Sequence, residues 1–237
     1  GKTNLLEALW LCTGEKSFRG AKESQMLGFE RENAAIRMRY ENREREMEIE
    51  IRLGEKKEVS LNGVALRSLS GLIGEFYAVI FSPDHLSLVK EGPSMRRKFI
   101  DAAICQIKPS YVKLLSDYNR IVTQRNSVLK DAAYHSFLLD TLDIWDNYLL
   151  RVGAAVVRTR KKYCEKLGYY AGGFYRGISG EKENLSIEYL YAGERCGALE
   201  ENEEKRLGQE LRENRAEDLR TAVTSVGPHR DDIAFNI

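Results

Sequence analysis

No stretch of about 18 apolar residues occurs in this 237-residue chain, so the sequence offers no membrane-spanning helix. No signal peptide, internal repeat or low-complexity tract is visible. Cysteine is scarce. Cys12, Cys105, Cys164 and Cys196 lie far apart and form no C-x-x-C pair, which leaves neither a zinc-ligand spacing nor a disulfide framework. Reduced cytosolic thiols, in a cytoplasmic protein, are the expectation. Net charge is also nearly absent, at +1, but that balance conceals an asymmetry. Residues 84–166 carry 15 Lys and Arg against nine Asp and Glu, and residues 194–220 carry six against nine. Residues 1–83 balance at 13 each. A basic segment within a neutral chain suits an anionic partner.

What is present is a change of period. "AAIRMRY", "EMEIEIRL" and "KEVSLNG" alternate. Met47, Ile49, Ile51 and Leu53 face one way and Glu48, Glu50 and Arg52 the other. Asn62-Gly63 marks a tight turn. "FYAVIFS", residues 76–82, is almost wholly apolar and predicts a strand buried on both faces. After Pro83 the spacing turns helical. Tyr111, Leu114, Leu115, Tyr118, Ile121, Val122, Val128 and Leu129 mark one helix. Leu138, Leu142, Trp145, Leu149, Val152 and Val156 mark a longer one, packed on another helix. The glycines between Gly168 and Gly180 should weaken or end it. "NLSIEYLY" predicts a strand, 197–217 an acidic exposed helix, and "TAVTSVG" and "DDIAFNI" two further strands that rejoin the first sheet. The fold class expected is therefore α/β, a β-rich part with a mainly helical insertion.

Three stretches carry chemistry. Gly1, Lys2, Thr3 and Asn4 open a helix whose apolar stripe would be Leu5, Ala8, Leu9 and Cys12. They match the end of a G-x-x-x-x-G-K-[ST] phosphate loop. There the helix N-terminus favours an anion, the lysine reaches phosphates and the hydroxyl ligates Mg²⁺. The plain alternative is an ordinary helix start capped by Thr3. The second stretch is "FSPDHLSLVKEGPSMRRKFID", residues 81–101. Ser94 would cap a helix, with Phe99, Ala103 and Ile107 facing inward. Arg96, Arg97 and Lys98 at its start oppose the helix dipole, which suits contact with phosphates, DNA or an acidic surface. A solvated charged face is the competing reading. The third is "TSVGPHRDDIAFNI", residues 224–237, where Gly227, Pro228, His229, Arg230, Asp231 and Asp232 sit between strand patterns. They suit a switch or metal-adjacent loop, or simply a β-turn with exposed charges.

Together these stretches resemble the RecF family of bacterial recombinational repair ATPases. "GKTNLLEALWLC" is similar to the end of its phosphate loop and the following helix. "FSPDHLSLVKEGPSMRRKFID" and "VGPHRDDIAF" are similar to two family signatures. "YNRIVTQRN" and "LDIWDNYLLRVGA" follow in family order. Glu91 and Ala222 stand where glycine is common in the family. The resemblance implies an internal fragment of a RecF chain, lacking the start of the phosphate loop and the later S-Q-G-Q and Walker-B elements. It implies an ABC-type P-loop ATPase head (1–83 and 222–237) with an inserted helical domain (84–221). The cofactors implied are ATP and Mg²⁺. The partners implied are single- and double-stranded DNA, gap junctions, RecR with RecO and RecA, and a second copy in an ATP-dependent homodimer. Two other readings compete. One is a metabolic P-loop kinase, which would need an acceptor pocket and a lid. The other is a DNA- or protein-binding module whose phosphate loop is only structural.

Overall fold

The computed structural model describes all residues except 29–30, 43–44, 82–86, 133, 193 and 196–201. Cys196, residues 82–86 of the second stretch and residues 197–201 at the start of the expected acidic helix therefore lie outside the described residues. The chain forms two compact units, Gly1–Ser82 with Cys105–Pro109, and Pro83–Ile104 with Ser110–Ile237.

The first unit contains helix α1 (Lys2–Leu11), a short helix α2 (Glu23–Met26) and an antiparallel sheet. Its strands are β1 (Ala34–Asn42), β2 (Arg45–Leu53), β3 (Glu58–Leu61) and β4 (Val64–Leu66), in that order across the sheet. The alternating sequence sets the register. Ile36 faces Ile51 and Met38 faces Ile49, so one face carries apolar pairs. Arg37 on the other face donates to Glu50 at 2.8 Å. Asn62 and Gly63 both have positive φ, as the tightest hairpin turns require. Ile49, Ile51, Leu53 and Val59 close a core with Leu11, Cys12, Leu69 and Leu72.

Two expectations fail in this unit. The run 76–82 is not a strand among its described residues. Val79 is fully exposed and Tyr77 and Phe81 largely so. The Ala78 N–H donates to the Gln106 side chain, not to a ladder. An apolar run becomes a buried strand only if neighbours pair with it. Here the four strands pair only among themselves. In α1, Leu5 and Leu9 are exposed, and Glu7, Leu11 and Cys12 form the buried face.

The second unit is mainly helical. It contains α3 (Ser87–Lys90), α4 (Pro93–Ile107, whose end belongs to the first unit), α5 (Ser110–Ala132) and α6 (Leu139–Ser179). Strands β5 (Ser186–Tyr191) and β6 (Glu194–Arg195), helices α7 (Glu203–Glu213) and α8 (Arg215–Thr221), and strand β7 (Asp232–Asn236) complete it. The helix α5 runs antiparallel to α6 and buries Tyr111, Tyr118, Ile121 and Leu129. The glycine-rich tract does not weaken α6, which runs 41 residues until Gly180 caps it in the left-handed region. Gly168 and Gly172 serve packing instead. A side chain at Gly172 would meet the Leu185 carbonyl at 2.8 Å, so glycine lets the approach to β5 come close. In α4, Pro93 takes the first helical position, so Ser94 lies inside the helix. Ile100 and Ile104 form the buried side, whereas Ile107 is exposed.

The final strand does not rejoin the first sheet. β7 pairs antiparallel with β5, Tyr189 opposite Ile233, in a separate sheet of order β6-β5-β7. Nor is "TAVTSVG" a strand. Thr221 ends α8 and Ala222 caps it at φ +56°. Beyond it, the Thr224 and Ser225 N–H groups bond to the Asn126 and Asp218 side chains. Donors engaged by side chains are lost to a ladder. The expected acidic helix is two helices, α7 and α8, meeting at Asn214.

Candidate functional site

In the first unit, Gly1, Lys2, Thr3 and Asn4 are all exposed. The helix starts at Lys2, so Thr3 lies in its first turn and is not its cap. No side chain caps this end and no acid lies in the first turn. The Gly1 carbonyl accepts from the Asn4 and Leu5 N–H groups, while earlier N–H groups of the turn have no partner within the helix. An uncapped, acid-free helix start carrying a lysine fits an anionic phosphate. Thr3 offers Mg²⁺ a single oxygen, and no group of three His, Cys, Asp or Glu among the described residues would enclose a cation. Asn4 and Ala8 line a cavity of about 700 Å³ with Arg19, Gln25 and Ile36. The loop beside it is held by Glu7, which accepts from Ser17 and from Arg19 at 3.2 Å.

In the second unit, residues 227–232 form a turn in which Gly227, Pro228 and Asp231 are buried, His229 and Asp232 are half-buried and Arg230 is exposed. Gly227 adopts φ +117°, and a side chain there would stand 2.8 Å from the Tyr118 hydroxyl. The His229 Nε2 lies 3.0 Å from the Thr224 carbonyl, which can only accept, so Nε2 carries the proton. Nδ1 then accepts from Tyr118 at 2.6 Å. Burial holds this imidazole down at about 4, hence neutral. The Pro228 carbonyl accepts from Arg160 at 2.6 Å. Arg160 also grips Asp101 with two bonds, and Tyr111 donates to the same carboxylate. Arg230 closes the turn through its N–H to the Gly227 carbonyl. Asp231 is buried and accepts from Tyr189 at 2.6 Å. Burial pushes it up to about 6.

The cationic run engages this same loop. Arg96 binds Asp232 through two bonds of 2.8 and 2.9 Å, and also donates to the Leu88 and Glu91 carbonyls. Although burial pushes Asp232 up, the Arg96 pair holds it below the usual carboxylate range. Arg97 donates to the Asp231 carbonyl, and burial lowers its pKa. Lys98 alone of the three is exposed. The second and third stretches thus meet in one network.

A deeper layer escaped sequence reasoning. Arg125, fully buried, donates to Asp218 at 2.6 Å, Asp146 at 2.6 Å and Thr224 at 3.0 Å. Asp218 in turn accepts from the Ser225 N–H and hydroxyl. A signal existed. Arg125 lies four residues after Ile121 and four before Leu129, on the apolar stripe, and Arg160 likewise follows Val156 on α6. "YNRIVTQRN" and "LDIWDNYLLRVGA" supply Tyr118, Arg125, Asn126 and Asp146 to this structure.

No protein-family model matches the chain. Curated proteins do. The DNA replication and repair proteins RecF of Lachnoclostridium phytofermentans and Agathobacter rectalis are each 36% identical over 239 residues, covering 100% of this chain and 64% of theirs. Two solved structures of the recombination mediator protein RecF in the RecFOR pathway also match. One, RecF-ATP, has a TM-score of 0.90 over 100% of this chain and 64% of that one. The other, RecF-ATPrS, has a TM-score of 0.88 over 99% of this chain and 64% of that one, and both are 36% identical. The chain spans about 64% of the length of the relatives it matches, and by sequence and by fold it belongs to the RecF family.

Proposed function

We propose that the protein is an ATP-gated, DNA-binding member of recombinational repair and replication. The observation carrying this reading is the match to RecF-ATP along the entire chain. Residues 1–83 and 222–237 would belong to an ABC-type ATPase head, and 84–221 to its inserted domain. Bound ATP supplies an anionic tail and a hydrolysable phosphoanhydride. The Lys2 ammonium and the open N–H groups of α1 would hold that tail, and the Thr3 hydroxyl would give Mg²⁺ one ligand. ATP-dependent pairing of two copies would clamp DNA, single- or double-stranded, at gaps. RecR would be the direct partner, with RecO and RecA in the same pathway and in the cytoplasm. Of the cationic run, Lys98 faces outward and is the member suited to a DNA phosphate. Its neutralisation should flatten the slope of log K against log salt by about 0.9. An unchanged slope would leave Lys98 as a solvated cation.

The test is ATP hydrolysis by the whole protein with and without duplex DNA. Acceleration by DNA is expected. Turnover indifferent to DNA would favour a metabolic kinase, and no turnover a binding module with a structural phosphate loop.

A further inference from the structure

Helix α6 is about 60 Å long at 1.5 Å per residue, and one face of it is engaged by the rest of its unit. Leu149, Val156, Arg160 and Cys164 lie on that buried side. The opposite side has a different composition. Between 147 and 179 the sequence holds seven Lys and Arg and a single acid, Glu165; Arg160 and Lys161 are buried, and the other five cations are exposed. Arg151, Arg158, Lys162, Lys166, Tyr169 and Arg176 follow one another at steps of 7, 4, 4, 3 and 7, which keeps them on one face. All are exposed, and Tyr169 and Tyr170 are 78% and 63% exposed. Arg158 is paired with Glu204 at 3.6 Å, whereas Arg151, Lys162, Lys166 and Arg176 carry no ion pair among the described residues. A Cβ at Gly173 or Gly177 would meet nothing within 4 Å, so the backbone is open on either side of Arg176.

We infer that this face of α6 is a binding surface for single-stranded nucleic acid. The inference rests on the DNA-binding reading above and adds the place and the form of the strand. Two observations select this occupant. A row of unpaired cations, about 37 Å from Arg151 to Arg176, complements a polyanion that is itself extended. Two adjacent exposed tyrosines, packed edge to face with ring centroids 5.3 Å apart, form an aromatic platform for bases, and only unstacked bases can use it. A duplex would meet the cations alone.

The test is fluorescence anisotropy of the whole protein with a labelled oligothymidylate and, separately, a duplex of equal length. Two surface variants are compared with wild type after their melting temperatures are shown to match it. Arg151→Gln/Lys162→Gln/Lys166→Gln should flatten the single-strand salt slope by about 2, at roughly 0.7 per phosphate contact. Tyr169→Ala/Tyr170→Ala should weaken single-strand binding at least about fivefold, leaving the slope and duplex binding nearly unchanged. Wild-type single-strand binding by both variants overturns the surface while leaving the DNA reading intact. The same holds if the variants lose only a co-purifying protein, because α6 would then be a protein-docking face. If the tyrosine variant weakens duplex and single strand equally, the single-strand assignment fails. If wild type binds no DNA with or without ATP, the underlying reading fails first.

Discussion

The start of α1 and the loop 227–232 are opposites in their physical condition. At the first, Gly1 to Asn4 are exposed and no side chain caps the helix. At loop 227–232, Asp231 is buried, His229 is half-buried and the carbonyls of Pro228 and Asp231 are each occupied by an arginine. At the first, the earliest N–H groups of the helix have no side-chain partner among the described residues. The other satisfies its groups internally, as a structural lock does. Both were flagged by charged or phosphate-binding residue types in a short motif. Residue type alone therefore does not separate an exposed motif from one built into the fold.

Breaking the lock should be costly, beginning with its deepest member. Arg125→Ala strands Asp218 in the interior, and losing one partner of a buried pair costs about 3–5 kcal/mol. Thermal unfolding should show a loss of that order, and a loss under about 1 kcal/mol would mean that Asp218 finds another partner. Gly227→Ala forces a side chain into the left-handed region and against the Tyr118 hydroxyl, at about 1–3 kcal/mol. The same substitution at exposed Gly1 meets no atom within 4 Å and should leave the melting temperature unchanged, which sharpens the contrast between the regions.

Acid should pull the lock in two directions. Asp231 has a raised folded pKa, about 6 against 3.8. Its contribution to stability is full below 3.8 and is lost as pH rises through about 6. His229 has a lowered folded pKa, about 4 against 6.5. Its contribution is present above 6.5 and is lost as pH falls toward 4. The two oppose one another between about 4 and 6. Asp231→Asn should make stability fall more steeply on acidification across that window, and His229→Gln less steeply. Denaturant titrations at several pH values distinguish them, and identical slopes in both variants would contradict the buried placement.

The smallest expected effect has the opposite sign. Ala222 holds a left-handed conformation that costs a non-glycine residue about 1–2 kcal/mol. Ala222→Gly should raise stability by up to about 1 kcal/mol, the gain being reduced by the freer unfolded chain. This is one of the positions where the resemblance marked a departure, and the backbone explains why glycine is favoured there.

Much of the local structure was legible. Period-two alternation gave β1 and β2 because one face of the sheet is buried and the other wet. The stripes of α5 and α6 gave the helix pair for the same reason. The run 76–82 misled because its apolar character reports an affinity for neighbours, not their presence. Helix α1 misled because Glu7 is buried by Ser17 and Arg19, a partnership ten and twelve residues away that no helical period contains. The candidate site was legible as residues but not as roles. Arg96 and Arg97 look like phosphate ligands in a run of three cations, and only the fold brings Asp232 and the Asp231 carbonyl to them.

The most direct measurement is ATP affinity and ATP-dependent DNA retention by the whole protein, wild type against Lys2→Ala. Lys2 is exposed at the open start of α1, so its removal should leave the melting temperature unchanged. Nucleotide affinity should fall and ATP-dependent retention of DNA should disappear. Unchanged ATP affinity in a folded Lys2→Ala protein would contradict the assignment of the nucleotide site to this helix.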